Sequence, residues 1–589
     1  MARAQMATGA TTMLPTEPGA FDPGSRPTAH RWPTWSAPSC GRSSTVRTWW
    51  WPATTTRTRS WGSAEFVAGE EMGRTRGFWW SPDGSALLVA RVDVTPVQEW
   101  WIAAPVTPEL APTAGRYPAA GTANAEVELW IVGLHGTRRR IDWAGDEWEY
   151  LADAFWSDDG IWLTVQSRDQ RTLAVLHVDP DSGAATERHR VVDGHWVELV
   201  PGTPAVHDGR LVTVEDRGPA RRLCVDGEPL TGDDVQIRRV VHVDDSGITV
   251  TASAEPTTVH VAHVDWNGRI EWLTEQPGVH SAVVGGPTRV VVSRGLEFDG
   301  ARVAVHRDGT RVATLVDHAE VPPLALNLHM HRLGPRELAS ALLLPKDDDG
   351  AGPLPVLLDP YGGPHAQRVQ VARGLFHSSQ WFADQGFAVL VTDGRGTPGR
   401  GPAFEREVRG DLAGPVLDDQ IAALEAAAAL EPRLDLTRVA IRGWSFGGFL
   451  AALAVLRRPD VFHAAIAGAP VTDWTRYDTH YTERYLGHPD DEPDTYARSG
   501  LLTEPARFDA AGTLPPLMLI HGLADDNVVA AHTLQLSRAL LEAGLPHTVL
   551  PLSGVTHMTP QEAVAENLLL LQLAFLRDAL GLPPGDLTP

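Results

Sequence analysis

Cysteine is nearly absent: the 589 residues contain two, Cys40 and Cys224. Two thiols build neither a disulfide framework nor a Cys-rich zinc site, so the cytoplasm is the expected compartment. No apolar run approaches the ~18 residues that cross a bilayer, and the N-terminus has no charged segment leading into an apolar one, so no membrane role is expected. Positive charge is also scarce. Against 74 Asp and Glu stand 50 Lys and Arg, for a formal charge of −24. Binding nucleic acid needs a basic stripe to neutralise phosphates, which excludes it as an expected partner. What is present is an ordinary globular balance, 43% hydrophobic and 21% charged, in a chain long enough for at least two domains.

Three stretches differ in grammar. Residues 1–60 carry seven Arg, only Glu17 and Asp22 as acids, and the run Trp49-Trp50-Trp51. No period of 2 or 3.6 survives there, and the composition reads as a disordered or wrongly framed start. Residues 61–322 read as all-β. Hydrophobic runs alternate with Ser81-Pro82-Asp83-Gly84, Ser157-Asp158-Asp159-Gly160, His207-Asp208-Gly209, Asp245-Ser246-Gly247, Trp266-Asn267-Gly268 and Arg307-Asp308-Gly309. Asp-Gly and Asn-Gly between such runs mark hairpins, because the turn needs positive φ. Many hairpins in succession fit a β-propeller, with a sandwich as the alternative.

Residues 323–589 alternate strands and helices. Strands are expected at 354–358, 387–392, 439–442, 517–520 and 547–550, and helices at 418–430, 448–457 and 562–580. Apolar, unalternating strands in this order predict a doubly wound, mostly parallel sheet covered on both faces.

Gly443-Trp444-Ser445-Phe446-Gly447 fits the G-x-S-x-G nucleophile turn in its required setting, after a strand and before a helix. The nucleophile sits on a turn so tight that its neighbours must be small, and the helix directs its N-terminus at a developing oxyanion. An α/β-hydrolase domain then presents an acid and a histidine, each after a later strand. The strand at 517–520 leads to the adjacent Asp525 and Asp526, and the strand ending at 550 leads to His557. Ser445 is thus the expected nucleophile, His557 the general base, and an aspartate its orienting partner. His521, at a strand end ahead of the acids, reads as structural.

The combination Gly-Trp-Ser-Phe-Gly-Gly and His-Gly-x-Ala-Asp-Asp-Asn-Val resembles the dipeptidyl peptidase IV branch of the prolyl oligopeptidase family over roughly residues 61–589. The resemblance implies a propeller joined to an α/β-hydrolase domain and removal of X-Pro or X-Ala dipeptides from peptide N-termini. It makes Asp525 the triad acid. In Asp359-Pro360-Tyr361-Gly362-Gly363-Pro364 it makes Tyr361 an oxyanion donor beside the Phe446 N–H. It places Val471, Trp474, Tyr477, Tyr481 and Val528 around the P1 ring, where aromatic walls suit a rigid apolar proline. Read without the family, those aromatics fit a helix-face core equally well. Asn527 would meet the P2 carbonyl. Glu70 and Glu71 resemble the branch's double glutamate; adjacent carboxylates repel unless a cation lies between them, and a substrate α-ammonium would be that cation.

Family members carry further propeller strands ahead of the glutamates, with an arginine for a substrate carbonyl. Residues 1–60 match none of this, so the propeller is expected to be short at its N-terminal end. The expected partners are peptides with a free N-terminus, and family members are commonly homodimers. No metal or cofactor is expected. The rival readings are an endo-oligopeptidase cutting after proline, a broader esterase, and a truncated remnant without activity.

Overall fold

The computed structural model describes residues 58–583, apart from 146 and 509–512, together with Ala2–Gln5, Ala10–Met13, Ala20–Phe21 and Trp35–Ser36 as two antiparallel strand pairs. Apart from these strand pairs, the stretch 1–57 that reads as disordered or wrongly framed lies outside the described residues. Just after it, Arg59–Trp61 forms a short strand against Ala86–Asp93.

The catalytic half is built on one eight-stranded sheet. Its strands are β1 (Leu328–Leu333), β2 (Leu338–Leu343), β3 (Leu354–Leu358), β4 (Ala388–Thr392), β5 (Leu434–Trp444), β6 (Ala464–Gly468), β7 (Leu517–Gly522) and β8 (Thr548–Leu552). They lie in the order β1-β2-β4-β3-β5-β6-β7-β8. β1 and β2 form an antiparallel hairpin and β2 runs antiparallel to β4; every later pairing is parallel.

The central strands are apolar throughout because both faces are covered. Within β3, Val356 and Leu358 point into one core with the helices Gly414–Leu430 and Phe446–Arg457, and Leu357 points into another with His377–Asp384 and Glu562–Ala579. Strand alternation therefore sorts the side chains into two layers even where every residue is hydrophobic.

Ahead of it, five antiparallel sheets follow one another along the chain. The first pairs Arg138–Ile141, Glu126–Gly133, Ala86–Asp93 and Arg59–Trp61, with Phe78–Trp80 also on Ala86–Asp93. The other four are simple up-and-down meanders of four strands spanning 150–192, 205–229, 236–272 and 279–315. All six Asp/Asn-Gly-type turns named above fall between paired strands of these sheets.

Neighbouring sheets pack face to face. Leu88 and Leu129 of the first share a core with Leu163 and Leu176 of the second, and Val212 of the third meets Ile248 and Val264 of the fourth. This is blade-on-blade propeller packing, in which each sheet hides its apolar face against the next. A hairpin, Glu99–Ile102 with Thr113–Arg116, projects from the first blade and carries the exposed side chains Trp101, Val106 and Leu110.

The two halves are joined by polar bonds. Arg168 grips Glu483 with Nε and Nη2 at 2.8 and 2.7 Å. Arg221 meets Glu405 at 2.9 Å, and Arg406 meets Asp193 and Asp216 at 2.7 and 3.0 Å. The segment after Tyr117 is stitched to the catalytic half through its backbone: Ala119 bridges Asp478, Ala120 donates to the Tyr477 carbonyl, and Thr479 donates to the Pro118 carbonyl.

Candidate active site

The turn at Ser445 follows from its glycines. β5 ends at Trp444, the helix Phe446–Arg457 begins one residue after Ser445, and Ser445 is held at φ 59°, ψ −119°. An L-residue adopts such a conformation only when its surroundings impose it. A Cβ on Gly443 would collide with the Gly447 backbone, and one on Gly448 with the Gly468 carbonyl. The Ser445 N–H donates to that same Gly468 carbonyl at 2.9 Å, tying the turn to β6. Phe446 opens the helix, so its N–H is among those with no intrahelical acceptor.

The acid arrives on the loop after β7. Asp525 is buried, and its Oδ1 accepts the N–H groups of Asn527 at 3.0 Å and Val528 at 2.9 Å. Its Oδ2 accepts from His557 Nδ1 at 2.8 Å. Burial works to raise the Asp525 pKa, but hydrogen bonds from His521 and His557 outweigh it, and the group is held below the usual carboxylate range. His521 makes its other contacts with the loop and the helix that follows it, Nδ1 with Thr533 at 2.8 Å and Nε2 with the Val528 carbonyl at 2.6 Å. Asp526 is exposed to solvent. His557 lies in the loop after β8, and its carbonyl accepts from Trp444 Nε1 at 2.7 Å, which fixes that loop beside the Ser445 turn.

Tyr361 stands in the loop after β3, with its hydroxyl hydrogen-bonded to the Ser445 side chain. Burial, helped by Glu71, raises its pKa against that bond, so the phenol stays a neutral donor. Val471, Trp474, Tyr477, Tyr481 and Val528 are all buried in one cluster with Phe446. Trp474 and Tyr481 are parallel at 5.9 Å, and Tyr477 stands perpendicular to Tyr481 at 5.2 Å.

The paired acids come from the propeller. Glu65 caps the one-turn helix Phe66–Glu70, its carboxylate accepting the Ala68 N–H at 3.0 Å. Buried Arg74 lies 3.6 Å from Glu65 and donates to the Leu151 carbonyl at 3.1 Å, pinning the helix to the second blade. Glu70 Oε2 accepts from Asn527 Nδ2 at 3.4 Å, two residues from the triad acid, and Glu71 Oε2 lies 3.4 Å from His365 Nδ1.

Both glutamates are pushed upward in pKa. Glu70 is raised by burial and then by Asp526 and Asp525, with His557 opposing. Glu71 is raised well above the usual range by burial and by Asp478, to which its side chain is hydrogen-bonded. Asp478 is itself pushed up to about 7, chiefly by burial, against the Tyr481 N–H and the Glu71 bond that favour its charge. Burial and a like-charged neighbour both work against ionising the two carboxyls together.

Three members of this surround were not singled out from sequence. Asp478 reads as a helix N-cap, which it also is, accepting the Tyr481 N–H at 2.9 Å. His365, at φ 72°, lies 4.7 Å from the Tyr481 ring, and burial with Arg484 lowers its pKa to about 4. Tyr117 lies in a loop of the other half with nothing local to mark it.

A strained serine between β5 and a helix, with an aspartate–histidine pair on the loops after β7 and β8, defines an α/β-hydrolase of the serine class. The sequence signature of the "Prolyl oligopeptidase family" matches residues 374–583, and that of the "Dipeptidyl peptidase IV (DPP IV) N-terminal region" matches residues 53–295. The chain belongs to the prolyl oligopeptidase family and is a serine peptidase.

It is 26% identical to human dipeptidyl peptidase 8 across 89% of this chain and 70% of that one. It is 27% identical to the probable dipeptidyl-aminopeptidase B of Aspergillus clavatus across 81% of this chain and 58% of that one. The crystal structure of Porphyromonas gingivalis dipeptidyl peptidase 4 superposes with a TM-score of 0.81 at 24% identity, covering 88% of this chain and 77% of that one, a likeness of fold. Among the described residues, no helix is long and apolar enough to cross a membrane.

Proposed function

We propose that the protein is a dipeptidyl exopeptidase that releases X-Pro or X-Ala from peptides with a free N-terminus. The observation that carries this reading is the contact between Glu70 of the propeller and Asn527 of the triad loop, at 3.4 Å. It supports the reading by bringing one of the paired acids beside the loop that carries Asp525.

In this reading Ser445 attacks the scissile carbonyl as His557 takes its proton, and Asp525 holds the imidazole in the tautomer that accepts at Nε2. Tyr361 and the Phe446 N–H meet the oxyanion. Val471, Trp474, Tyr477, Tyr481 and Val528 enclose the P1 ring, Asn527 contacts the P2 carbonyl, and Glu70 and Glu71 hold the ammonium. The apolar wall tolerates alanine, because each missing methylene costs only about 1–3 kcal/mol.

Gly-Pro-p-nitroanilide should be hydrolysed and its N-acetyl derivative ignored; equal rates on the two end the assignment. We further propose that two copies associate through the hairpin bearing Trp101, Val106 and Leu110, which are 65%, 62% and 64% exposed. Sedimentation of a Trp101→Glu, Leu110→Glu variant should show monomers where the parent shows dimers. A cytoplasmic location accords with the scarcity of cysteine.

A further inference from the structure

The turn at 167–171, at the tip of a hairpin in the second blade, reaches across to one helix of the catalytic half, Thr479–Leu486. Arg168 grips Glu483 there, and Gln166 Oε1 lies 3.3 Å from His480 Nε2. Gln170 makes two bonds with one amide. Its Nε2 donates to the His480 carbonyl at 2.5 Å, and its Oε1 accepts from Arg484 Nε at 2.6 Å. Only one orientation of the amide satisfies both, since a carbonyl cannot donate and a guanidinium cannot accept. Gln166, Gln170, His480 and Arg484 are all buried.

Gln170 holds this place against its own backbone preference. Its φ is 57°, a left-handed conformation that glycine would adopt freely. Its N–H donates to the Ser167 carbonyl at 2.9 Å, and its carbonyl accepts the Val197 N–H at 2.8 Å, so the backbone cannot relax. Strain of this kind persists where the surroundings over-determine it, and it clusters at functional sites.

The gripped residues, 480, 483 and 484, have the i, i+3, i+4 spacing of a single helix face. Tyr481 follows His480 and is therefore turned by about 100° from it. Its ring lies parallel to Trp474 at 5.9 Å. Trp474 is anchored by its own indole N–H, which donates to the Ser499 carbonyl at 3.0 Å. Tyr481 has no such anchor: its hydroxyl is buried without a hydrogen-bond partner among the described residues. The ring goes where the helix carries it, and contacts along one face stop the helix from rolling.

We propose that Gln170 is a positioning residue for the P1 site, fixing the roll of the helix Thr479–Leu486 and with it the Tyr481 wall. This rests on the reading of Tyr481 as part of that wall. A proline ring lies along such a wall over its whole face, whereas an alanine methyl touches it at one point. A wall set at the wrong angle therefore penalises proline more than alanine.

Gln170→Met keeps the length of the side chain and removes both bonds. One well-seated methylene is worth about ten- to two-hundred-fold in kcat/KM. Turnover of Gly-Pro-p-nitroanilide should therefore fall roughly thirty-fold and that of Gly-Ala-p-nitroanilide roughly three-fold, cutting the preference for proline about ten-fold. Gln170→Glu keeps the Arg484 bond and loses the donor to His480; it should cut the preference about three-fold, and it carries the test if the Met variant does not fold. In a Tyr481→Ala background Gln170→Met should change the preference no further; full additivity overturns the proposal. Equal falls on both substrates mark a merely structural role and overturn it too. A preference that collapses in Tyr481→Ala but survives both Gln170 substitutions overturns this proposal alone. A preference untouched by Tyr481→Ala removes the P1 assignment, and this proposal with it. Cleavage of the N-acetyl substrate decides the exopeptidase reading separately.

Discussion

The two halves supply different kinds of group to one site. From the catalytic half come Ser445, Asp525, His557 and Tyr361, all on loops at the same rim of a single sheet. From the propeller come the paired acids, Glu70 at the end of a one-turn helix and Glu71 just after it. In the proposed reading the first set makes and breaks bonds on any acyl substrate, and the second recognises only how a peptide begins. The lesson of the contrast is that, in this reading, turnover and recognition of the free N-terminus are separable by domain, and mutations should divide along the same line.

The sharpest test on the catalytic side is Ser445→Ala. It should lower kcat by about a million-fold while a Gly-Pro dipeptide still binds by calorimetry; turnover near wild type would remove Ser445 as nucleophile. On the propeller side, Glu70→Ala with Glu71→Ala should lower kcat/KM for free N-termini by roughly a hundred- to ten-thousand-fold, from two charged contacts of about 1.5–3 kcal/mol each. A comparable fall on substrates without an ammonium would erase the division between the halves.

Tyr361→Phe removes one oxyanion donor and should lower kcat by about a hundred- to a thousand-fold whatever the N-terminus. An effect confined to KM would move Tyr361 to the binding side. The smallest effect is one of pH. With Asp478 at about 7, the clamp is fully anionic only above that value, and a peptide ammonium persists only below its own pKa of about 7.7–8.0. The kcat/KM for free N-termini should therefore fall as pH drops through about 7 and again above about 8. Asp478→Asn relieves Glu71 of the neighbour that raises it, so the acid limb should move to lower pH; a limb that stays in place would assign it to another group.

How much was legible follows the same division. The nucleophile turn announces itself because its requirement is local: glycines flanking Ser445 and a strand–helix junction. Asp525 and His557 follow from chain order along the sheet. Strand β6, Ala-Ala-Ile-Ala-Gly, was not expected, since alanine favours helix and only burial on both faces makes it a strand. The hairpin β1–β2 was also missed, because β1 (Leu-His-Met-His-Arg-Leu) lies at the sheet edge and is half-exposed. β5 begins at Leu434, ahead of the expected start, because its leading residues Asp435 and Thr437 are polar and partly exposed. The carboxyl pair of Glu71 and Asp478 has no local signature at all, since its members meet only when the propeller docks.

That docking has a mechanical consequence. The backbone bridge at Ala119–Asp478 and the Arg168–Glu483 grip make the gap between the acidic post and the serine a fixed length. An enzyme built this way counts residues with its own rigid frame, as a ruler does, and the cut falls where the peptide's end stops.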